Sequence, residues 1–241
     1  MKKIVVTSLF SIFIFSAGQA QILISLIFGD KLNSDKIEFG LDGGLSLTTL
    51  KGPDGAKNRS GLNLGFYLAI KTKNPAWMIS TGVMVKGPMG AQGLPIYKLE
   101  NDFLDSAFRG GSVTTKLGYF YVPVTMKYSF KNNLFVKGGI QLGLINAASD
   151  EFLNSVIVDD DLTHTIKRKK DFAALDAGLT AGIGYRLMKG NGMNLTINYY
   201  YGLVDVESDD DGPDVFNRAL YFNVGIPIGK EKAAKAMAEK K

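Results

Sequence analysis

The chain contains a single histidine, His164, and its neighbours are the residue types that a catalytic histidine uses. Aspartates occupy positions 159–161, and Ser155 and Thr163 place hydroxyl groups close by in the sequence. A serine, a histidine and an acid held together carry out acyl transfer, because the histidine takes the hydroxyl proton and the acid orients the histidine. The chain has no G-x-S-x-G motif, the signature of one large hydrolase class. We therefore favour a solvated loop histidine over a lipid-modifying enzyme.

Two charged runs offer other kinds of chemistry. Residues 207–212 read ESDDDG, and clustered carboxylates bind hard cations such as Ca²⁺. The run lacks the spacing and the distant glutamate of an EF-hand loop, so the sequence favours a solvated acidic loop. Residues 167–170 read KRKK. This basic run has two open interpretations: contact with lipid phosphates at a membrane surface, or pairing with the acidic loops.

The composition excludes several classes of function. The chain has no cysteine, which rules out a thiolate nucleophile and cysteine-ligated metals. Its glycine-rich segment at 178–184 lacks the Lys-Ser/Thr pair of a phosphate-binding loop. The formal net charge of +5 comes from Lys2, Lys3 and the tail at 230–241, which leaves the body of the chain neutral. A nucleic-acid-binding protein carries a basic face on its body, so we expect no nucleic acid, no cofactor and no metal.

The elements that position these residues are β-strands, and residues 60–71 show the pattern most clearly. Every even position from Leu62 to Ile70 is large and apolar, whereas the odd positions are small or polar. Side chains on a strand alternate between its two faces, so this strand has one apolar face and one narrow polar face. The same alternation predicts strands at residues 36–48, 60–71, 76–86, 114–130, 134–147, 172–188, 193–206 and 217–229.

The connections between these strands alternate in length. Long connections are predicted at 51–58, 87–113, 148–171 and 207–214, and short ones at 72–75, 131–133 and 189–192. Outer-membrane barrels have short periplasmic turns and long outer loops, and an even strand count places both termini on the periplasmic side. We predict an all-β fold over residues 36–229: a closed antiparallel up-and-down transmembrane β-barrel of about eight strands.

The apolar face of the predicted barrel should meet lipid, and the polar face should fill the lumen. The apolar positions carry no charge on any predicted strand, and small residues suit the interior of a barrel this narrow. A soluble barrel would carry many more charges on its polar face. We interpret the inward charges as a paired polar network rather than an ion pathway, because buried charges require partners. This network consists of Glu38, Asp42, Lys71, Lys86, Lys127, Lys137, Asp176 and Arg186.

Both ends of the chain carry segments outside the predicted barrel. Residues 1–20 have the basic start, apolar run and small-residue end of a secretory signal peptide, with cleavage expected after Ala20. Residues 21–35 form a lead-in, and its apolar patch at 22–28 is either a short helix against the barrel or a loosely packed segment. Residues 230–241 form a charged periplasmic tail.

Three segments of the mature chain match a known family in residue type and spacing. They are FGDKLN at 28–33 running into IEFG at 37–40, GGIQLG at 138–143, and YFNVGIP at 221–227. On these segments the chain resembles the PorT-like outer-membrane β-barrel proteins, small Bacteroidetes-type barrels with an architecture similar to OmpX and the OmpA barrel. The resemblance implies an outer-membrane location; most members of that family have no assigned activity, and some are linked to protein secretion or to the cell envelope. Many such barrels end on an aromatic residue, whereas this chain ends on a Lys/Ala/Glu tail.

The predicted function follows from this architecture. We expect a monomeric, non-enzymatic outer-membrane protein that maintains the envelope or makes interactions through its outer loops. Its expected partners are outer-membrane lipid and lipopolysaccharide. Two alternatives stay open: an accessory role in protein secretion or transport through the periplasmic ends, and a rim-located lipid-modifying enzyme that uses His164.

Overall fold

A computed structural model describes residues 36–157, 160–190, 192–208 and 212–228 of the chain. The predicted signal peptide, the lead-in and the charged tail lie outside these described residues. Within the described ranges, no α-helix has the length and apolar character that crossing a bilayer requires.

The described chain consists mainly of β-strands joined by turns and short helices. The strands are β1 (Ile37–Lys51), β2 (Arg59–Lys71), β3 (Trp77–Leu94), β4 (Ser112–Ser129), β5 (Leu134–Ile157), β6 (Asp160–Lys167), β7 (Leu175–Arg186), β8 (Asn194–Gly202) and β9 (Phe216–Pro227). The helices are α1 (Asp102–Ala107), a 3-10 helix (Lys169–Asp171) and α2 (Leu187–Gly190).

Eight of these strands close into a ring. The order of neighbours runs β1, β2, β3, β4, β5, β7, β8 and β9, and β9 pairs back with β1. The closing pair places Leu45 opposite Phe222. Every pairing in the ring is antiparallel, which confirms the predicted closed up-and-down barrel. Closure leaves no unpaired strand edge in lipid.

The alternation of side chains places apolar residues on the outside of the ring. On β8 it runs without interruption. The exposed side chains are Leu195, Ile197, Tyr199 and Tyr201, and the buried ones are Asn194, Thr196, Asn198 and Tyr200. At the end of the barrel that carries the short turns, Trp77 packs against Tyr128 with ring centroids 4.8 Å apart. This is the arrangement of a lipid-facing apolar belt with aromatic side chains at its edge.

The predicted polar loop at 148–171 is wrong, because this segment forms a β-hairpin. β5 continues to Ile157 and β6 returns beside it, so that Phe152 pairs with His164. Ala148, Asp150 and Phe152 are buried on one face of the extended β5, and the aspartate among them interrupts the apolar alternation in the sequence. Among the described strands β6 pairs only with β5, so the hairpin projects beyond the ring on the side of the long connections.

The predicted loop at 87–113 is also shorter than expected. β3 extends to Leu94 and β4 begins at Ser112, with α1 between them. Glycine and proline indicated a loop here, but two of the glycines, Gly90 and Gly93, instead adopt positive φ values of 109° and 76° within the strand. The extended parts of β3, β4, β5 and β6 pair in that order and form a four-stranded outer sheet above the apolar belt.

Candidate functional site

The inner half of the lumen, toward the start of β1 and the end of β9, holds charged side chains with close partners. Arg186 forms a salt bridge with Glu38, and these side chains are only 11% and 12% exposed. Glu38 also accepts a hydrogen bond from the Tyr67 hydroxyl at 3.0 Å. Lys127 Nζ lies 3.7 Å from the centroid of the Phe135 ring. The salt bridge connects β7 to β1 through the interior of the barrel, whereas the other two contacts join neighbouring strands.

A small cavity lies beside these side chains. Asp42 and Lys137 line it, and its volume of about 30 Å³ is room for roughly one or two water molecules. Farther toward the outer end, Asp176 accepts a hydrogen bond from Asn217 Nδ2 at 2.9 Å. The residues of the predicted network that face the lumen are Glu38, Asp42, Lys127, Lys137, Asp176 and Arg186.

Lys71 and Lys86 do not join this lumen network. Lys71 is exposed at the inner end of β2. Lys86 pairs with Leu64, whose side chain is 52% exposed on the outer face. The register shifts between Leu64 and Gly65, and this bulge turns Lys86 to the lipid side. Its long side chain can place the ammonium group at the polar edge of the membrane. The prediction from strict alternation along β3 placed Lys86 in the lumen, which is the wrong face.

The outer half of the lumen is filled by aromatic and sulfur-containing side chains. Tyr119, Tyr121, Tyr200 and Tyr221 are each no more than 4% exposed. The rings of Tyr121 and Tyr221 lie 5.7 Å apart, and the Tyr221 hydroxyl is 3.9 Å from the sulfur of Met89. The lumen is therefore polar at its inner end and aromatic at its outer end, with side chains filling both halves.

A pocket of about 150 Å³ lies where the outer connections meet above the aromatic half of the lumen. We call it the mouth pocket. Four outer connections contribute to it, through residues between β1 and β2, between β3 and β4, between β6 and β7, and between β8 and β9. Its apolar wall includes Leu50, Leu94, Val113, Phe172 and Val215. The mouth of a barrel is a common position for a binding site.

Arg168 links the acidic side chains on the polar side of the mouth pocket. Its guanidinium group donates to Asp150 at 2.8 Å, to Asp171 at 2.8 Å and to Glu207 at 3.1 Å. The Asp150 side chain is 1% exposed and also accepts a hydrogen bond from the Tyr97 hydroxyl at 2.9 Å. We call these five residues the Arg168 cluster. The cluster joins β5 to the connections that follow β3, β6 and β8.

The electrostatics of the Arg168 cluster shift the pKa of two members. Burial opposes the charge on Arg168, but hydrogen bonds to Asp150 and Asp171 outweigh burial, so the pKa of Arg168 lies above its usual value. Burial and then the charge of Asp150 raise the pKa of Tyr97. At neutral pH the arginine is therefore charged and the tyrosine protonated. Three carboxylates surround one guanidinium group, so the cluster carries a net negative charge.

His164, the catalytic candidate of the sequence, does not line the mouth pocket. His164 is half-buried on β6, with its ring centroid 6.2 Å from that of Phe108. Its backbone pairs with Phe152, whereas Ser155 pairs with Asp161 farther along the hairpin. The side chains at 155–161, including the predicted partners of the histidine, lie outside the described residues.

The two charged runs meet in the Arg168 cluster. Arg168 of the basic run pairs with Glu207 of the acidic run, whereas Lys167, Lys169 and Lys170 are exposed. Residues 209–211 lie outside the described part of the chain. In the described part, no group of three or more histidine, aspartate or glutamate side chains is placed to hold a metal ion. Sequence reasoning missed Tyr97 and Asp150, since both lie in segments interpreted as loops.

A closed barrel with an apolar outer belt and a filled lumen defines a small outer-membrane β-barrel protein. The chain belongs to the outer membrane protein beta-barrel domain family, whose model matches residues 19–208. The family places the protein in the outer membrane.

Several solved barrels are similar to this chain. Ail, the attachment invasion locus protein of Yersinia pestis, shares 13% sequence identity, with coverage of 80% of this chain and 99% of Ail and a TM-score of 0.43. Neisserial surface protein A shares 12% identity over 78% of this chain and 96% of its own, with a TM-score of 0.43. A FadL homologue of Pseudomonas aeruginosa shares 11% identity over 69% of this chain and 44% of its own, with a TM-score of 0.33. A search of curated proteins gave no match.

Proposed function

We propose that this protein is a sealed outer-membrane barrel that binds molecules at its outer mouth and neither catalyses a reaction nor conducts solutes. The observation that carries the proposal is the convergence of four outer connections on the mouth pocket, above a lumen filled with side chains. The connections of a passive anchor have no reason to meet in this way. Binding through the outer face is the function that this geometry supports best.

The outer sheet supports the same proposal. β5 is 24 residues long, whereas crossing a bilayer takes roughly 9–11 residues of strand. The surplus length is paired structure, since β4 and β5 pair as far as Ser112 opposite Leu153, with one bulge between Gly118 and Tyr119. A surface held in one geometry loses little conformational entropy when it binds a partner. The protein therefore presents a rigid surface outside the membrane.

The experiment compares two lysines at opposite ends of the barrel. Lys98 is exposed next to Tyr97 at the rim of the mouth pocket, and Lys131 is exposed in the short turn between β4 and β5. Each is replaced in turn by a photo-crosslinking phenylalanine analogue, and whole cells are irradiated. We expect adducts from position 98 and none from position 131, because binding occurs at the outer face.

The reverse result would overturn the proposal. Adducts from Lys131 with envelope proteins, together with none from Lys98, would favour an accessory role in secretion through the periplasmic end. That role is the alternative that the PorT-like resemblance implies. Migration of the unboiled protein on a gel checks that both variants form the barrel before irradiation.

A further inference from the structure

We infer that the mouth pocket binds a small organic amine, with an ammonium group against the carboxylates and an apolar body of about one ring in the cavity. This inference rests on the proposed function and names the chemical class of its ligand. It concerns a cavity at the outer surface, separate from the small polar cavity inside the lumen.

The size of the cavity sets the size of the ligand. The mouth pocket has a volume of about 150 Å³, and an engineered protein cavity of about 150 Å³ binds benzene. Its walls are apolar where Val113 and Val215 are each 1% exposed and Leu50 is 5% exposed. A single six-membered ring therefore fits, and it gains by leaving water because the wall is apolar.

The charge of the polar wall sets the sign of the ligand. Each of the three guanidinium nitrogens of Arg168 already donates to a carboxylate, on Asp150, Asp171 and Glu207. The arginine is therefore committed to these acids and is poorly placed to bind an anion. Of these acids, Asp150 and Glu207 line the pocket beside Arg168, and two carboxylates against one guanidinium leave one excess negative charge. This charge attracts a cation and repels a carboxylate ligand.

The aromatic wall favours the same ligand. The guanidinium carbon of Arg168 lies 5.5 Å from the centroid of Tyr97 and 5.4 Å from that of Phe172. Both rings line the pocket, so their faces already contact one cation. A second positive group at the pocket entrance would meet the same attraction to a ring face. Tyr97 is 42% exposed, which leaves this side of the pocket open to the medium.

The test uses three probes that share a ring and differ in charge: benzylamine, benzyl alcohol and benzoate. Binding to the full-length protein in lipid nanodiscs is measured by ligand-observed NMR titration. We expect benzylamine to bind at least tenfold more tightly than benzoate, with benzyl alcohol between them. Equal or tighter binding of benzoate would contradict the inference.

Two variants locate the binding. Glu207→Gln keeps the size of the side chain and removes one negative charge, so benzylamine should bind about fivefold more weakly. The matched control is Glu151→Gln, because Glu151 pairs with Lys116 and does not line the pocket. The control should bind like the unmodified protein, and an equal loss in both variants would place the amine elsewhere.

A filled pocket gives an independent readout. Val113→Phe places extra volume in the cavity, so it should abolish the binding of benzylamine and benzyl alcohol alike. If that variant does not fold, the comparison of benzylamine binding between Glu207→Gln and Glu151→Gln still tests whether the amine binds in the mouth pocket. Absence of benzylamine binding while adducts form at Lys98 removes only this inference, whereas absence of both removes the proposed function as well.

Discussion

A Gly139→Ala variant should lose about 3 kcal/mol or more of unfolding free energy, the upper part of the range for overpacking. A β-carbon at Gly139 would lie 2.1 Å from the backbone oxygen of Val124 on the neighbouring strand. Gly139 faces the lumen, where strong curvature brings neighbouring backbones together. A methyl group cannot fit unless β4 and β5 separate. Urea unfolding in lipid vesicles, followed by the fluorescence of Trp77, measures the loss.

The matched control is the adjacent residue. A β-carbon at Gly138 would have its nearest neighbour, the backbone oxygen of Thr180, at 3.8 Å, an ordinary contact. Gly138 lies on the lipid side of the same strand, so Gly138→Ala should unfold within about 0.5 kcal/mol of the unmodified protein. If both variants were equally stable, or if Gly138→Ala were the less stable one, the assignment of the two faces of β5 would be wrong.

An Arg168→Ala variant should loosen the outer sheet while leaving the barrel closed. Loss of the guanidinium group leaves Asp150 buried without its ionic partner, a change that costs about 3 kcal/mol at the lower end of the range for buried pairs. Arg168 is 22% exposed, which favours the lower end. Hydrogen exchange of the β6 amides should therefore accelerate about 100-fold, because each 1.4 kcal/mol is a factor of about ten.

Two further variants separate the causes. Arg168→Lys keeps the charge, but an ammonium group lacks the planar set of donors that lets the guanidinium bind three carboxylates. Its exchange rates should therefore fall between those of the alanine variant and the unmodified protein. Arg109→Ala removes an exposed arginine that has no ion pair among the described residues, and it should change nothing. Unchanged β6 exchange in Arg168→Ala would show that the cluster does not hold the outer connections.

The ring of strands was predictable because its signal is local. On β2 the apolar residues fall on every second position, and the prediction of a strand at 60–71 differs from the observed Arg59–Lys71 by one residue. Lipid on one side and a narrow lumen on the other make each face uniform, so the alternation persists through the membrane. The short turns interrupt it with asparagine, proline and glycine, which also marks the strand ends.

The structure of the outer end was less predictable, because it depends on contacts between residues that are far apart in the sequence. Asp150 occupies a buried position where alternation predicts an apolar residue, and its partner Arg168 lies 18 residues away. Tyr97, a third member of the cluster, comes from another connection altogether. The orientation of Lys86 depends on a bulge, which inserts a residue without a distinctive sequence signal. Such features follow from the folded arrangement rather than from a repeating pattern.

The proposal depends on a barrel that is closed to solutes. The small inner cavity and the packed tyrosines of the outer half leave side chains where a pore would hold water. Recording of current across a planar bilayer that contains the purified protein tests this point most directly. A sealed barrel should give no lasting current steps at protein amounts where an open porin gives many. Stable single-channel steps that increase in number with the protein added would contradict it.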